Sequence, residues 1–178
     1  MKSLCVYCGS KPSNNKGFLQ VANDLGAYLG KNGIRLVYGG AKVGIMAEVA
    51  NACLAHGGEV LGIMPKSLVP WEVSHQGLSE LKIVTSMHER KALMETESDA
   101  FVALPGGLGT LDELFEILTW KQIKLHKKPV SIINVAGFFD HLLAHLKTCK
   151  DYDLVVNEDL LQLQTFNDLD QWQKQFNF

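Results

Sequence analysis

Three carboxylates, Asp112, Glu113 and Glu116, stand directly behind a glycine cluster, Gly106, Gly107 and Gly109, in the stretch FVALPGGLGTLDELFE. Glycines let the backbone take φ > 0 and leave its N–H groups uncovered. A helix starting there adds its unpaired amides and the positive end of its dipole. That combination suits an anion such as a phosphoryl group. Acids beside a bare phosphate would repel it, so their presence raises the question of catalysis. Thr110-Leu111-Asp112-Glu113 is equally a capping box, in which Glu113 turns back to the first amide of its own helix. From the residues alone, both readings of Glu113 stand.

A second pair of candidates lies upstream. Ser86-Met87-His88-Glu89 has the form of a capping box opening a helix to about Thr96, which places Arg90 and Lys91 in its first turns. Positive charge there opposes the helix dipole by about 0.3–1 kcal/mol each. A solvated surface tolerates that, and residues aimed at an anionic ligand would also show it. Between Pro65 and Gly77 the periodicity lapses, and Trp71, Glu72 and His75 are candidates for lining a site or a subunit contact, or for a solvated loop with one anchored aromatic. Cys5 and Cys8 match C-x-x-C, but on a strand they point to opposite faces, and no second pair completes a zinc set. Core packing is the expectation. His141 and His145 beside Asp140 have metal-compatible spacing and read as a solvated helix face.

The elements that must position these groups alternate. Apolar runs at 4–7, 34–38, 60–64, 81–84, 101–104 and 130–135 read as strands, separated by helical patterns at 18–32, 46–56, 86–96, 110–124 and 138–146. The tail, 151–178, reads as a turn of helix, a short strand and a final helix. This rhythm predicts one α/β domain over 1–178, a Rossmann-like parallel sheet flanked by helices on both faces, with ligands beyond the carboxyl ends of the strands. Two glycine loops, 39–44 with Gly39 and Gly40, and 105–110, fall at such ends and are expected to converge on one ligand. The first is neither a P-loop nor G-x-G-x-x-G, and the strand at 60–64 ends in Met64-Pro65 rather than an acid for a ribose hydroxyl, which argues against a dinucleotide. The helix from Thr110 is apolar around much of its circumference (Leu111, Leu114, Phe115, Ile117, Leu118, Trp120, Ile123). It needs a second surface, so a homodimer with this helix at or near the contact is predicted.

Composition narrows the field further. With 47% apolar and 20% charged residues and a net charge of -2, the chain reads as globular and has no basic footprint for nucleic acid. It contains no membrane-length apolar run, and Met1-Lys2-Ser3 leads into a strand without a signal-peptide pattern, so a cytoplasmic protein is expected. Four cysteines in a chain of 178 residues do not suggest a disulfide framework.

Leu104-Pro105-Gly106-Gly107-Leu108-Gly109-Thr110-Leu111-Asp112-Glu113, with Met87-His88-Glu89-Arg90-Lys91 upstream, resembles the Lonely Guy family of cytokinin riboside 5′-monophosphate phosphoribohydrolases. The likeness extends to Cys8-Gly9-Ser10, Tyr38-Gly39-Gly40, Gly44-Ile45-Met46, Thr119-Trp120 and Lys128-Pro129. It implies a Rossmann-like dimer that hydrolyses the N-glycosidic bond of a nucleoside 5′-monophosphate to free base and ribose 5-phosphate, without metal or organic cofactor. By the same resemblance Arg90 and Glu113 are the catalytic pair. Gly106, Gly107, Leu108, Gly109 and Thr110, with Leu111 and Asp112 behind them, form the phosphate cradle, and Glu72, Lys91, Gly39 and Gly40 add substrate contacts. Such proteins often carry the label lysine decarboxylase, but no pyridoxal-binding lysine pattern can be singled out. A nucleotide-binding carrier without catalysis is the competing class. Gly39-Gly40-Ala41 in place of a three-glycine run, Trp71 in place of a basic residue and Asp112 in place of glutamate depart from the family pattern and bear on base preference.

Overall fold

Each apolar run forms a strand. In the computed structural model, which describes residues 1–69, 75–155 and 162–176, these are β1 (Ser3–Tyr7), β2 (Arg35–Tyr38), β3 (Val60–Pro65), β4 (Glu80–Val84), β5 (Ala100–Ala103), β6 (Val130–Ile133) and β7 (Leu163–Phe166). The helices are α1 (Lys16–Lys31), α2 (Gly44–Ala55), α3 (Met87–Thr96), α4 (Leu108–Gln122), α5 (Asp140–Asp151) and α6 (Leu169–Gln175). β1, β2, β3, β5 and β6 are buried along nearly their whole length and read as continuous apolar runs, as strands covered on both faces must. The seven strands are parallel in the order β4-β3-β2-β1-β5-β6-β7.

That order creates the site's location. From β1 the chain builds outward through β2, β3 and β4, then returns to β1's other side with β5 and continues to β7. The loops after β1 and β5 therefore leave adjacent strands toward opposite faces and open a crevice at their carboxyl ends.

Two cores sandwich the sheet. On one face Leu4, Val6, Leu36 and Val102 pack with Leu25 and Leu29 of α1, Val49 and Cys53 of α2, and Trp172 of α6. On the other, Cys5, Tyr7, Leu61 and Phe101 pack with Met94 of α3, Leu114 and Ile117 of α4, and Phe139 before α5. Cys5 and Cys8 fall in different cores, as strand alternation requires, and both are buried. His141 and His145 lie on the exposed face of α5. Among the described residues no helix is long and apolar enough to cross a membrane.

The carboxyl-end helix α4 departs from the expected start. It opens at Leu108, two residues before Thr110, and its N-cap is Gly107, which has no side chain to cap with. Thr110 is thus the third residue of the helix, and the Thr110–Glu113 spacing is not a capping box. Of its apolar positions, Leu114 and Ile117 are buried, Leu111, Leu118 and Trp120 half-buried, and Phe115 and Ile123 exposed together with Leu108. By contrast Ser86 does cap α3, its Oγ accepting from the Glu89 amide at 3.1 Å, while the Glu89 carboxylate accepts from the Thr85 amide at 2.7 Å.

Candidate active site

The loop after β1 and the loop after β5 are held edge to edge. The Gly9 amide donates to the Pro105 carbonyl at 3.1 Å, and the Met46 amide at the start of α2 donates to the Gly9 carbonyl at 3.2 Å. A methyl group on Gly106 would lie 2.1 Å from Thr110 Oγ1 and 2.9 Å from the Gly9 amide, so this approach requires a glycine. Above the junction opens a cavity of about 620 Å³. The β5 loop and the first turn of α4 (Pro105 to Thr110) form one side of it, the β1 loop (Cys8 to Lys11) another, with Arg90 and Glu113 on the wall and Phe18 and Phe138 opposite.

The first turn of α4 supplies amides. The Leu111 amide reaches the Gly107 carbonyl at 3.1 Å, so those of Leu108, Gly109 and Thr110 precede the first carbonyl that the helix could offer them. Gly107 and Gly109 have open space where a Cβ would be, which leaves this backbone accessible from the cavity. An anion is the ligand such an edge favours.

Arg90 is driven inward from α3. Its Nε donates to the Ile63 carbonyl of β3 at 3.0 Å, and Nη1 lies 3.9 Å from Met87 Sδ and 3.5 Å from Glu113 Oε1. Both side chains are buried, Arg90 at 5% and Glu113 at 4% exposure. A charge so far from water persists only with a partner, and each supplies the other's. Gly39 makes room for it: a methyl group there would lie 2.0 Å from Arg90 Nη2. Beneath Glu113, burial and then the Glu113 charge push the Cys8 thiol up, and burial followed by the charges of Cys5 and Glu113 does the same for the Tyr7 phenol. Cys8 therefore faces the cavity as a neutral thiol rather than a nucleophile.

Of the sequence candidates, Arg90, Glu113, Gly106, Gly107, Leu108, Gly109 and Thr110 come together on this cavity. Gly39 stands behind Arg90, and Gly40, with φ +83°, accepts from the His75 amide at 3.2 Å. Neither lines the cavity, but Ile45 and Met46, which directly follow the 39–44 loop, do so beside the β1 loop and the loop at 105–110. Leu111 and Asp112 also lie off the cavity, as does Lys91, whose Nζ is 3.1 Å from Asp112 Oδ2 and 2.5 Å from Glu116 Oε2. His75 is held by Asn51 at 2.7 Å. Trp71 and Glu72 lie outside the described residues. Sequence reasoning missed Lys11, Phe18, Ile45 and Phe138 as cavity residues; the turn-rich stretch after β1 was the available signal for the first.

A family described as possible lysine decarboxylase matches residues 46–176. A probable cytokinin riboside 5′-monophosphate phosphoribohydrolase of Oryza sativa subsp. japonica is 51% identical over 141 residues, 79% of this chain and 63% of that protein. A second rice protein of the same probable function is 48% identical over 82% of this chain and 59% of its own length, so the chain spans about three-fifths of the rice relatives. A cytokinin riboside 5′-monophosphate phosphoribohydrolase of Rhodococcoides fascians is 45% identical over 82% of this chain and 74% of its own length. Among solved structures, a molybdenum cofactor binding protein from Rippkaea orientalis superposes with a TM-score of 0.73 at 20% identity, covering 99% of this chain and 96% of that one. The Moco carrier protein of Chlamydomonas reinhardtii gives 0.71 at 20%, covering 98% and 94%. At that identity the likeness is one of fold. With a family match over most of its length and a bacterial relative of similar extent, the chain belongs to the Lonely Guy family, among whose members are cytokinin riboside 5′-monophosphate phosphoribohydrolases.

Proposed function

We propose that this protein hydrolyses the N-glycosidic bond of a nucleoside 5′-monophosphate, AMP or a cytokinin riboside 5′-monophosphate, to free base and ribose 5-phosphate. The observation that carries this reading is the buried Arg90–Glu113 pair, 3.5 Å apart, on the wall of a cavity whose edge is the amide-rich start of α4. The names of the relatives support it.

The 5′-phosphate rests on Gly106, Gly107, Leu108, Gly109 and Thr110. Each helical residue adds about 1.5 Å, so Glu113 sits roughly 7.5 Å along the axis from Leu108, and side chains lean back toward the N-terminus. That is the scale of one ribose. The Glu113 carboxylate then faces the anomeric carbon, where cleavage develops positive charge. Water adds to C1′ as the bond to the base nitrogen breaks. Glu113 holds that water and receives its proton, and the base departs with a proton taken from solvent. Arg90 keeps Glu113 ionised and binds phosphate or ribose oxygens.

The test is turnover of AMP and of isopentenyl-AMP, following base and ribose 5-phosphate. Glu113→Gln and Arg90→Ala should each lower kcat by about 10²–10⁴-fold, the usual worth of a positioned acid or base. Thermal stabilisation by AMP without any product would instead favour a carrier. Wild-type rates in both variants would remove the assignment.

The exposed apolar residues Phe115 of α4 and Ile123 at its C-cap, 37% and 59% exposed, support a homodimer that contacts at or near this helix. Sedimentation at micromolar concentration should give twice 19.7 kDa. The cysteine usage supports a cytoplasmic setting.

A further inference from the structure

The cavity wall carries a lysine that the buried pair does not use. Among the described lining residues the charged ones are Lys11, Arg90 and Glu113. Arg90 and Glu113 face each other at 3.5 Å, and Arg90 Nε is committed to the Ile63 carbonyl. Lys11, in the loop after β1, forms no ion pair with any described residue. Its backbone is nonetheless held in place. Gly44, with φ +66°, packs so closely against it that a methyl group there would collide with the Lys11 carbonyl. The Gly9 amide, bonded to the Pro105 carbonyl, and the Met46 amide, bonded to the Gly9 carbonyl, pin the same loop to the starts of α4 and α2.

The loop also brings hydroxyls. Ser10 and Ser13 line the cavity beside Lys11, and Ser13 Oγ accepts from the Asn15 amide at 3.2 Å, so it keeps its proton for another acceptor. A 5′-phosphate carries about −1.5 to −2 charge at neutral pH, whereas a helix start offers roughly +0.5. The amides of α4 leave most of that charge uncompensated, and Arg90 already has Glu113 beside it. We infer that Lys11 is a substrate-binding residue: its ammonium meets the phosphoryl group from the β1 side, across from the amides of Leu108 to Thr110. This role rests on the reading of the cavity as a phosphoribosyl site; it does not require hydrolysis.

The experiment compares the full chain with Lys11→Met, Lys11→Arg and Lys31→Met, a control at the exposed far end of α1. Calorimetry with ribose 5-phosphate reads binding, and AMP turnover reads KM and kcat. Lys11 is exposed, so Lys11→Met should melt with the wild type and its losses read as binding. It should bind ribose 5-phosphate about tenfold more weakly, the worth of one partly solvated charge-assisted hydrogen bond. KM for AMP should rise by the same factor, with kcat kept within about twofold, because the contact is made equally before and during the reaction. Lys11→Arg should keep most of the affinity, and Lys31→Met all of it. Salt at about 0.5 M should narrow the gap between wild type and Lys11→Met, as screening of an exposed charge requires. Unchanged ribose 5-phosphate affinity in Lys11→Met, an equal loss in Lys31→Met, or a fall in kcat with KM kept would each overturn the assignment. If the wild type releases no base but binds ribose 5-phosphate through Lys11, the hydrolase reading fails and the phosphate contact stands. Base release with an affinity indifferent to Lys11 would mean the reverse, and a wild type that binds neither AMP nor ribose 5-phosphate would remove both.

Discussion

Gly106 and Gly107 are neighbours under opposite constraints. A methyl group on Gly106 would strike the Thr110 side chain and the Gly9 amide, whereas one on Gly107 would meet nothing within 4 Å. Gly106→Ala should therefore lower stability by about 1–3 kcal/mol, the cost of overpacking, together with activity. Gly107→Ala should melt at the wild-type temperature. If phosphate rests on this backbone, its new methyl group should raise KM for AMP about tenfold, or ~1.4 kcal/mol of binding. Melting curves and kinetics on the two variants separate a glycine needed for folding from one needed for ligand approach; identical behaviour would contradict the geometry. The same distinction explains what was legible in the residues. The anion-binding look of Gly106 to Thr110 follows from composition and order, and it is on the cavity. Glu113 was ambiguous because a threonine three residues before a glutamate has the spacing of a capping box. The capping reading falls away because the helix starts at Leu108 with Gly107 as its N-cap, two residues before the start that Thr110 suggests. Gly39 leaves the space that the Arg90 guanidinium fills, a contact between residues far apart in the chain that no local pattern shows.

Between elements, α1 and α2 meet with almost nothing between their backbones. A methyl group on Gly26 would come 2.3 Å from the Val49 carbonyl, and one on Gly30 would come 2.5 Å from that of Cys53. The two glycines, four residues apart on one face of α1, let backbone meet backbone. The apolar stripe of α1 was readable from its period, with Ala22, Leu25 and Leu29 buried, but the glycines looked only like weak points in a helix. In an exposed helix Gly→Ala gains roughly 1 kcal/mol. Here Gly26→Ala should instead destabilise by about 1–3 kcal/mol, because the colliding atoms are main chain and cannot turn aside. Denaturant unfolding decides it: a stabilised Gly26→Ala would mean that the helices separate freely. The pairing of loops obeyed a similar logic. Strand and helix positions follow from local periodicity, so all six apolar runs form strands. Which loops meet depends on β1 lying beside β5, a matter of sheet order that no local pattern records.

At the scale of the molecule, the cavity and the ion-pair network around Arg35 occupy opposite ends of the sheet. The cavity lies at the carboxyl ends. At the amino ends, Arg35 at the start of β2 meets Glu59, Glu80 and Glu97 at 2.9, 2.5 and 3.1 Å, and Lys82 joins Glu97 at 2.7 Å. The Glu59 contact is an ion pair to Nε without an aligned hydrogen bond. Asp99, just before β5, accepts from the Lys2 and Ser3 amides at 2.6 and 3.0 Å and ties down the start of β1. The Lys82 hydrogen bond, acting against burial and helped by the charges of Lys82 and Arg35, holds the Glu97 carboxyl below its usual range; the Lys2 amide does so for Asp99. A carboxyl whose pKa is depressed in the folded state contributes stability above its unfolded pKa and loses it as pH falls through the folded one. These contacts should therefore stabilise the protein at neutral pH and weaken below about pH 4.5, where the unfolded chain takes up protons first. Melting temperatures between about pH 7 and pH 3 should fall more steeply in the wild type than in Glu97→Gln, which has no proton to gain at this position. Because the network is partly solvated, 0.5 M salt should narrow the difference between the two proteins. Parallel curves across the acid range would show that the amino-end cluster adds nothing to folding, and that the sheet is held by its two apolar cores alone.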